Sequence, residues 1–367
     1  MTPLQIHDIE ARLQRAGAQP KHVQRVLRLW AQAKPQDSGR RPLDSFLPKA
    51  VREDLPALSA ELAGLARLQS RHPGADGSER LLVALAGGQT VETVLLPRGG
   101  VCVSTQVGCA VGCVFCMTGQ GGLLRQLGSA EIVAQVALAR SLRAVNKVVF
   151  MGMGEPAHNL DAVLQAIELL GTGGAIGHKN LVFSTVGDPR VFERLHQRGH
   201  DMVQRVRPAL ALSLHSTKAE LRQRLLPRAP AFTPQALVEA GERYARFSGY
   251  PIQYQWTLIA GVNDGPDEIE GIVQLLQGKY ALMNLIPYNT VDGLDFARPV
   301  GEAAAHMARV LHRRGILTKL RQSAGQDVDA GCGQLRSRTA LGLPAVATVR
   351  MPSKGGRAAL TAKPLSA

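Results

Sequence analysis

Val-Gly-Cys-Ala-Val-Gly-Cys-Val-Phe-Cys-Met-Thr-Gly, residues 107–119, puts Cys109, Cys113 and Cys116 on one short loop. The spacing is C-x3-C-x2-C. Three thiolates so arranged can hold three corners of a four-iron cluster and leave the fourth iron to a small molecule. An electron-carrying cluster takes four cysteines, and a closed structural zinc site takes four protein ligands. Three cysteines with an open corner point to chemistry at the metal. The rival reading is a zinc knuckle completed by a distant histidine, which leaves the surrounding pattern without a role.

That pattern extends in both directions. From residue 101 onward, strand-like and helix-like segments alternate. Strands are predicted at 101–105, 146–151, 180–184, 209–214, 252–259 and 281–287, and helices at 129–143, 160–170, 189–198, 235–247, 267–277 and 301–314. A βα unit repeated six times implies a parallel sheet. Active sites of such folds gather at the carboxyl ends of the strands, and the cysteine loop follows the first strand. Upstream, Leu81-Leu-Val-Ala-Leu, a Gly-Gly turn at 87–88 and Thr90-Val-Glu-Thr-Val-Leu-Leu read as a hairpin over 80–96. The first fifty residues read as two helices, around 4–16 and 20–33, with Leu4, Ile9 and Leu13, then Val23, Val26, Leu27 and Trp30, at helical spacing. Residues 35–44 read as a linker, and a third helix is predicted near 55–70. The expected fold is α/β: a partial (β/α)6 TIM-like barrel with a small helical N-terminal domain and a β-hairpin extension. The expected division is 1–75 (helical, a candidate RNA-binding unit), 76–340 (the barrel with its extensions) and 341–367 (a basic flexible tail).

The 367 residues carry a net charge of +14 and five cysteines. No apolar run approaches a membrane span, and the amino terminus has early acids with no apolar h-region, so no signal peptide is expected. A cytoplasmic protein follows, in which clustered cysteines mean metal or redox chemistry and not a disulfide framework. The excess of Lys and Arg favours a polyanionic partner, with nucleic acid first. From Gly333 onward there is no acid, while Arg336, Arg338, Arg350, Lys354, Arg357 and Lys363 are basic.

Each later strand ends in a further motif. Met151-Gly-Met-Gly-Glu-Pro156 offers a close backbone approach and, in Gly154-Glu155, a carboxylate for an ammonium group. Phe183-Ser-Thr-Val-Gly187 and Leu212-Ser-Leu-His-Ser216 place Ser184, Ser213, Leu214 and His215 where they can reach a ribose or a carboxylate; capping of the following helix is the plainer role, and it is preferred for Ser216. Asn289, in Leu285-Ile-Pro-Tyr-Asn289, can read an adenine edge, and Gly261-Val-Asn-Asp264 reads as a turn. Cys102 lies in the first strand. Cys332, between glycines and after Asp327 and Asp329, reads as part of a mobile loop.

A cysteine loop of this spacing after the first strand of a βα repeat resembles the radical S-adenosylmethionine superfamily, and Phe115 and Gly154-Glu155 fit its pattern. Cys-Val-Ser-Thr-Gln-Val-Gly-Cys (102–109), Met-Gly-Met-Gly-Glu-Pro (151–156), Leu-Ser-Leu-His (212–215), Asn-Leu-Ile-Pro-Tyr-Asn (284–289) and Cys-Gly-Gln-Leu (332–335), in that order, closely resemble the RlmN/Cfr family, which methylates an adenine carbon in RNA. The resemblance covers roughly 80–340. It implies a [4Fe-4S] cluster on Cys109, Cys113 and Cys116, with S-adenosylmethionine on the open iron and two molecules of it used per turnover. It implies that Gly154, Glu155, Ser184, Ser213, Leu214, His215 and Asn289 hold that molecule. The first molecule methylates Cys332. A 5′-deoxyadenosyl radical from the second takes a hydrogen atom from that methyl group, and the carbon radical adds to adenine C2 or C8. Glu92, in Val91-Glu-Thr-Val94, matches the family's proton acceptor. Cys102 then attacks the sulfur of Cys332, releasing the methylated base and leaving a disulfide.

The implied partners are rRNA or tRNA and an electron donor such as flavodoxin; the enzyme is expected to be a monomer with no membrane association. The alternatives are a non-catalytic, metal-dependent RNA-binding module or a radical enzyme of different outcome. Leu123-Leu-Arg-Gln-Leu127 and Thr290 depart from the ribosomal enzymes' Phe-Asn-Arg-Asn-Leu-like segment and proline, which leaves the target RNA and its nucleotide open.

Overall fold

The computed structural model describes residues 2–39, 41–198, 205–291 and 293–336. The expected tail over 341–367, with Arg338, Arg350, Lys354, Arg357 and Lys363, lies outside the described residues. The chain opens with helices α1 (Ile6–Arg15), α2 (Pro20–Ala31), α3 (Leu43–Phe46) and α4 (Lys49–Gly64). Strands β1 (Ala66–Pro73), β2 (Glu79–Leu85), β3 (Thr90–Leu96) and β4 (Gly100–Cys102) follow. Next come β5 (Gln106–Gly108), β6 (Leu123–Gln126), α5 (Ser129–Leu142), β7 (Lys147–Phe150), α6 (Leu160–Gly171), β8 (Leu181–Thr185) and α7 (Pro189–Arg198). The last third holds β9 (Ala209–Ser213), α8 (Ala219–Leu225), α9 (Pro234–Ser248), β10 (Ile252–Leu258), α10 (Pro266–Leu276), β11 (Ala281–Pro287), α11 (Gly301–Arg313) and β12 (Thr318–Leu320).

Ten strands form one sheet in the order β1-β2-β3-β4-β7-β8-β9-β10-β11-β12. The pairs from β1 to β4 are antiparallel, and every later pair is parallel. The six expected parallel strands are present, and β12 adds a seventh. Directly paired residues of a parallel ladder project to one face, and faces alternate along each strand. One face is therefore apolar: Val148 and Phe150, Leu181 and Phe183, Leu210 and Leu212, Tyr254 and Trp256, Met283 and Leu285, all buried. The other face carries Cys102, Lys147, Ser184, Ser213, Gln255, Asn284 and Lys319.

The polar face lies inside a curl. Gly325 N donates to Asp76 Oδ2 (3.1 Å) in the β1–β2 turn, and Arg80 Nε of β2 donates to Val328 O (2.6 Å). In a flat sheet, eight strand spacings from β12 to β2 would separate them by about 38 Å at about 4.8 Å each. The five residues from Leu320 to Gly325 reach at most about 18 Å. Only a strongly curled sheet lets the segment after β12 touch the opposite edge.

Three expectations need correction. The helix predicted near 55–70 runs over Lys49–Gly64, and residues 66–73 form β1. Alternating burial along Ala66–Pro73 and pairing with β2 outweigh helical spacing there. The linker at 35–44 ends in α3, whose Phe46 stacks under Arg25 and against His22. The strand predicted at 101–105 stops at Cys102; Gln106–Gly108 then pairs with Leu123–Gln126 in a separate two-stranded sheet that brackets the cysteine loop. Among the described residues no helix is long and apolar enough to cross a membrane.

Candidate functional site

The cysteine loop hangs between β5 and β6. Cys109 N donates to Gly122 O (2.9 Å), Cys116 N to Cys113 O (3.0 Å) and Val114 N to Leu225 O of α8 (3.1 Å). Phe115 is buried, with its ring edge-on to His215 at 4.9 Å between centroids. Burial, followed by the charges of Glu155 and Cys116, pushes the Cys109 thiol up to about 12. Burial and then the charges of Cys116 and Cys109 raise Cys113 as well.

These thiols sense one another. Three thiols on one loop within mutual electrostatic reach suit a multi-iron cluster in which each thiolate binds its own iron. The strain of neighbouring desolvated thiols is relieved when a cation displaces their protons. The residues present fit a [4Fe-4S] cluster.

Glu155 stands beside this loop at the end of β7. Its Oε1 accepts from Ala157 N (3.0 Å) and its Oε2 from Val186 N (3.0 Å), while its own N donates to Gln106 Oε1 (2.7 Å). Burial pushes its carboxyl up to about 7 against the hydrogen bonds that favour the anion. A cation arriving there meets a carboxylate whose burial is otherwise uncompensated. The backbone at Gly154 has φ 107°, and an added Cβ would stand 2.7 Å from Gln106 Cβ, so only glycine fits.

Ser184 and Ser213 end β8 and β9, half-buried on the polar face, and Leu214 is buried, its N donating to Gln255 O (3.0 Å). His215 takes a left-handed backbone (φ 58°), and its Nδ1 accepts from Thr257 N (2.9 Å). That contact leaves the proton on Nε2 of a neutral ring. Asn263 Nδ2 donates to His215 O (2.7 Å) and Thr257 O (2.8 Å), so the turn read at 261–264 also clamps His215. Ser216 is structural, as preferred: its Oγ accepts from Lys218 N (3.0 Å) ahead of α8 and donates to Glu268.

Burial, then Arg222, lowers His215 from 6.5 to about 3. Between those values the unfolded chain binds a proton that the folded chain refuses. The contribution of this residue is therefore whole above about pH 6.5 and is lost as pH falls, at about 1.4 kcal/mol per unit. We expect urea midpoints measured from pH 7 to pH 5 to fall, and His215→Asn, which tolerates the left-handed backbone, to flatten that slope. An unchanged slope in the variant removes His215 as its source.

Cys332 is exposed, yet burial of its sulfur by surrounding protein raises the thiol, with Arg321 lowering it and Cys116 raising it. Its loop is bound to three parts of the site. Met117 N donates to Gly333 O (2.8 Å), and Thr118 Oγ1 donates to Leu335 O (2.6 Å), which fastens it to the cysteine loop. Asn289 Nδ2 donates to Cys332 O (2.9 Å) and Ser323 Oγ (2.9 Å), and Asn289 Oδ1 accepts from Arg298 (3.2 Å). The Asn289 amide is thus engaged by the Cys332 loop in this arrangement. Glu92 Oε2 accepts from Arg336 N (2.9 Å).

Glu92 is not an exposed hairpin carboxylate. It is fully buried, its Oε1 accepting from the buried Arg80 (2.6 Å). Cys102, two positions along the same face by its pairing with Val94, is a buried free thiol. Burial and then the charge of Cys332 push it up to about 12. The structure therefore gathers all five cysteines, Glu155, Glu92, His215 and Asn289 at one end of the curled sheet. Sequence reasoning missed Gln106, Arg80 and Asn263, which hold Glu155, Glu92 and His215. Their only signal was adjacency to the motifs.

Residues 103–276 match the family described as the radical SAM superfamily. The chain is 71% identical over 335 residues to a probable RNA methyltransferase of Azoarcus sp. (strain BH72), covering 91% of this chain and 95% of that one. It is 63% identical over 349 residues to a probable RNA methyltransferase of Pseudomonas aeruginosa (strain PAO1), covering 95% and 98%. Among solved structures, a radical SAM methyltransferase from Sphaerobacter thermophilus superposes with a TM-score of 0.75 at 32% identity, covering 91% of this chain and 98% of that one.

Proposed function

We propose that this chain, which belongs to the radical SAM superfamily and within it to a family of RNA methyltransferases, methylates an adenine ring carbon, C2 or C8, of rRNA or tRNA through an S-methylcysteine on Cys332. The curled sheet acts as a partial (β/α)6 barrel around that reaction. The observation that carries the reading is the fastening of the Cys332 loop to the cysteine loop on one side and to Glu92 on the other, with Cys102 within electrostatic reach of Cys332.

Adenine C2 and C8 offer no lone pair to a sulfonium methyl, so direct displacement is closed and a radical route is needed. Cys109, Cys113 and Cys116 would hold a [4Fe-4S] cluster, which, with an electron from a donor such as flavodoxin, would supply the reductive cleavage of S-adenosylmethionine to a 5′-deoxyadenosyl radical. Gly154 and Glu155 receive the amino group of that molecule, Ser184 and Ser213 its polar edge, and Leu214, His215 and Asn289 its remaining surface. Cys332 works twice. Its thiolate first takes a methyl group from one S-adenosylmethionine, forming a C–S bond as S-adenosylhomocysteine leaves. The resulting thioether later gives up a hydrogen atom and bonds through carbon to the base.

Glu92 accepts the proton lost from the ring carbon. The adduct's unpaired electron passes back to the one-electron carrier, and Cys102, as a thiolate, then attacks the Cys332 sulfur; an S–S bond forms as the C–S bond breaks, and the electron pair left on the former methyl carbon takes up a proton as the methylated base departs. Two cysteines can close only with Cα atoms about 4.4–6.8 Å apart, so this step needs the mobility of the glycine-flanked Cys332 loop. Splitting one blocked step into several open ones is what covalent catalysis provides.

The test is intact-protein mass after anaerobic isolation. Wild type should carry one methyl group that maps to Cys332 and is missing from Cys332→Ala. Absence of methylation from cofactor-replete wild type would sink the proposal.

A further inference from the structure

Three cations on the inner face have no part in the mechanism above. Lys147 precedes Val149 by two residues, and Val149 pairs with Cys102, so Lys147 and Cys102 share the polar face. Lys319 pairs with Asn284, which continues the row Asn284–Gln255–Ser213 on that same face. Arg321 extends this alternation past β12, its N donating to Leu285 O (2.8 Å). The curl then carries β12 round toward β7. Lys147 is half-buried, and after burial itself the charges of Arg321 and Lys319 weigh most against its ammonium. Arg321 also acts on Cys332.

The one strand carboxylate on this face, Glu92, is paired with Arg80, and none of Lys147, Lys319 and Arg321 has an ion-pair partner among the described residues. Lys319 and Arg321 are exposed and Lys147 is half-buried; like charges brought within reach of a half-buried ammonium repel it, and an anionic ligand reverses the sign of that interaction. Charges on an edge strand also guard against stray pairing, which would account for Lys319 and Arg321. It does not account for Lys147, whose strand is flanked by β4 and β8.

We propose that Lys147, Lys319 and Arg321 form a binding site for backbone phosphates of the substrate RNA, positioning the strand so that its target base reaches Cys332. The proposal rests on the reading of the chain as an RNA methyltransferase. Such contacts fix register and carry no base information. They serve the half-reaction that uses RNA and leave the methylation of Cys332, which needs only S-adenosylmethionine, untouched.

The experiment uses the full-length, cluster-reconstituted enzyme with Lys147→Gln, Lys319→Gln and Arg321→Gln, singly and together, and Lys147→Arg as the charge-conserving control. Binding of a labelled, adenosine-containing single-stranded RNA oligonucleotide is followed against salt. Each neutral variant should lower the slope of log K against log salt by about 0.7. The triple variant should lose at least about tenfold in kcat/KM for methyl transfer to total cellular RNA, through KM. Cys332 methylation should stay at the wild-type level in Lys147→Gln and Lys319→Gln, and Lys147→Arg should behave as wild type.

An unchanged salt slope in the triple variant overturns the proposal. So does loss of Cys332 methylation with RNA binding intact, since the cations would then serve the cofactor. Self-association of the variants with normal RNA binding would assign the charges to edge protection instead. If wild type itself shows no methyl group on Cys332, the underlying reading fails, and it does so separately from the phosphate site.

Discussion

Cys102→Ala leaves the enzyme covalently joined to its RNA. In the proposed sequence the Cys332 sulfur is bonded through one carbon to the base, and release needs a second sulfur to displace it. Cys102 is the only other cysteine outside the cysteine loop. It is buried on the polar face, and the charge of Cys332 reaches it. Alanine removes the attacking sulfur and little volume, so the fold and the earlier steps survive. The expected product is a species retarded on a denaturing gel that nuclease trims to a nucleotide-tagged protein, with the tag on Cys332. Methylated RNA is not released. Cys332→Ala gives neither adduct nor product, and the double variant matches Cys332→Ala. Continued turnover of Cys102→Ala would exclude disulfide release and require another leaving step.

Arg80→Ala is the substitution with the largest expected effect on stability. Arg80 and Glu92 form an ion pair with side chains 4% and 0% exposed. Removing one member of such a pair strands the other charge in a low-dielectric setting, at a cost of about 3–5 kcal/mol. The loss should reach beyond β2 and β3. Arg80 Nε also holds Val328 O, and Glu92 holds Arg336 N, so the same pair tethers both ends of the segment carrying Cys332. A lower urea midpoint should come with faster proteolysis between residues 321 and 336.

The double substitution Arg80→Met with Glu92→Leu separates the two effects. Replacing a buried ion pair by apolar side chains of similar size is often neutral or stabilising, so the midpoint recovers, while the loop stays protease-sensitive and methyl transfer stays impaired. If Arg80→Ala unfolds at the wild-type midpoint, the pair is more hydrated than its burial implies.

Much of this molecule is written locally. The short apolar runs in Lys147–Phe150 and Leu181–Thr185 and the alternation in Ile252–Leu258 mark strands, and the spacing in Leu160–Gly171 and Pro234–Ser248 marks helices, because each pattern depends on neighbours a few residues away. The three clustered cysteines and Gly154-Glu155 are legible for the same reason. Residues 66–70, expected in a helix, belong to a strand that owes its existence to pairing with β2 and so has little local signature. β12 escaped because three residues carry no period at all.

By itself, the sequence determined the βα order, the three-cysteine loop and the candidate residues for the proposed chemistry. It determined them because covalent spacing places Cys109, Cys113 and Cys116 together whatever the rest of the chain does. The tertiary structure decided everything that depends on curl and register. It fastened the Cys332 loop to the cysteine loop, put Cys332 within electrostatic reach of Cys102, made Glu92 a buried partner of Arg80, and set Lys147, Lys319 and Arg321 on one face within reach of one another's charge. Those contacts join strands at opposite edges of one sheet, and no local pattern reports how far a sheet bends. The bend is set by packing one apolar face against helices, while the small and polar residues of the other face leave room for a reaction.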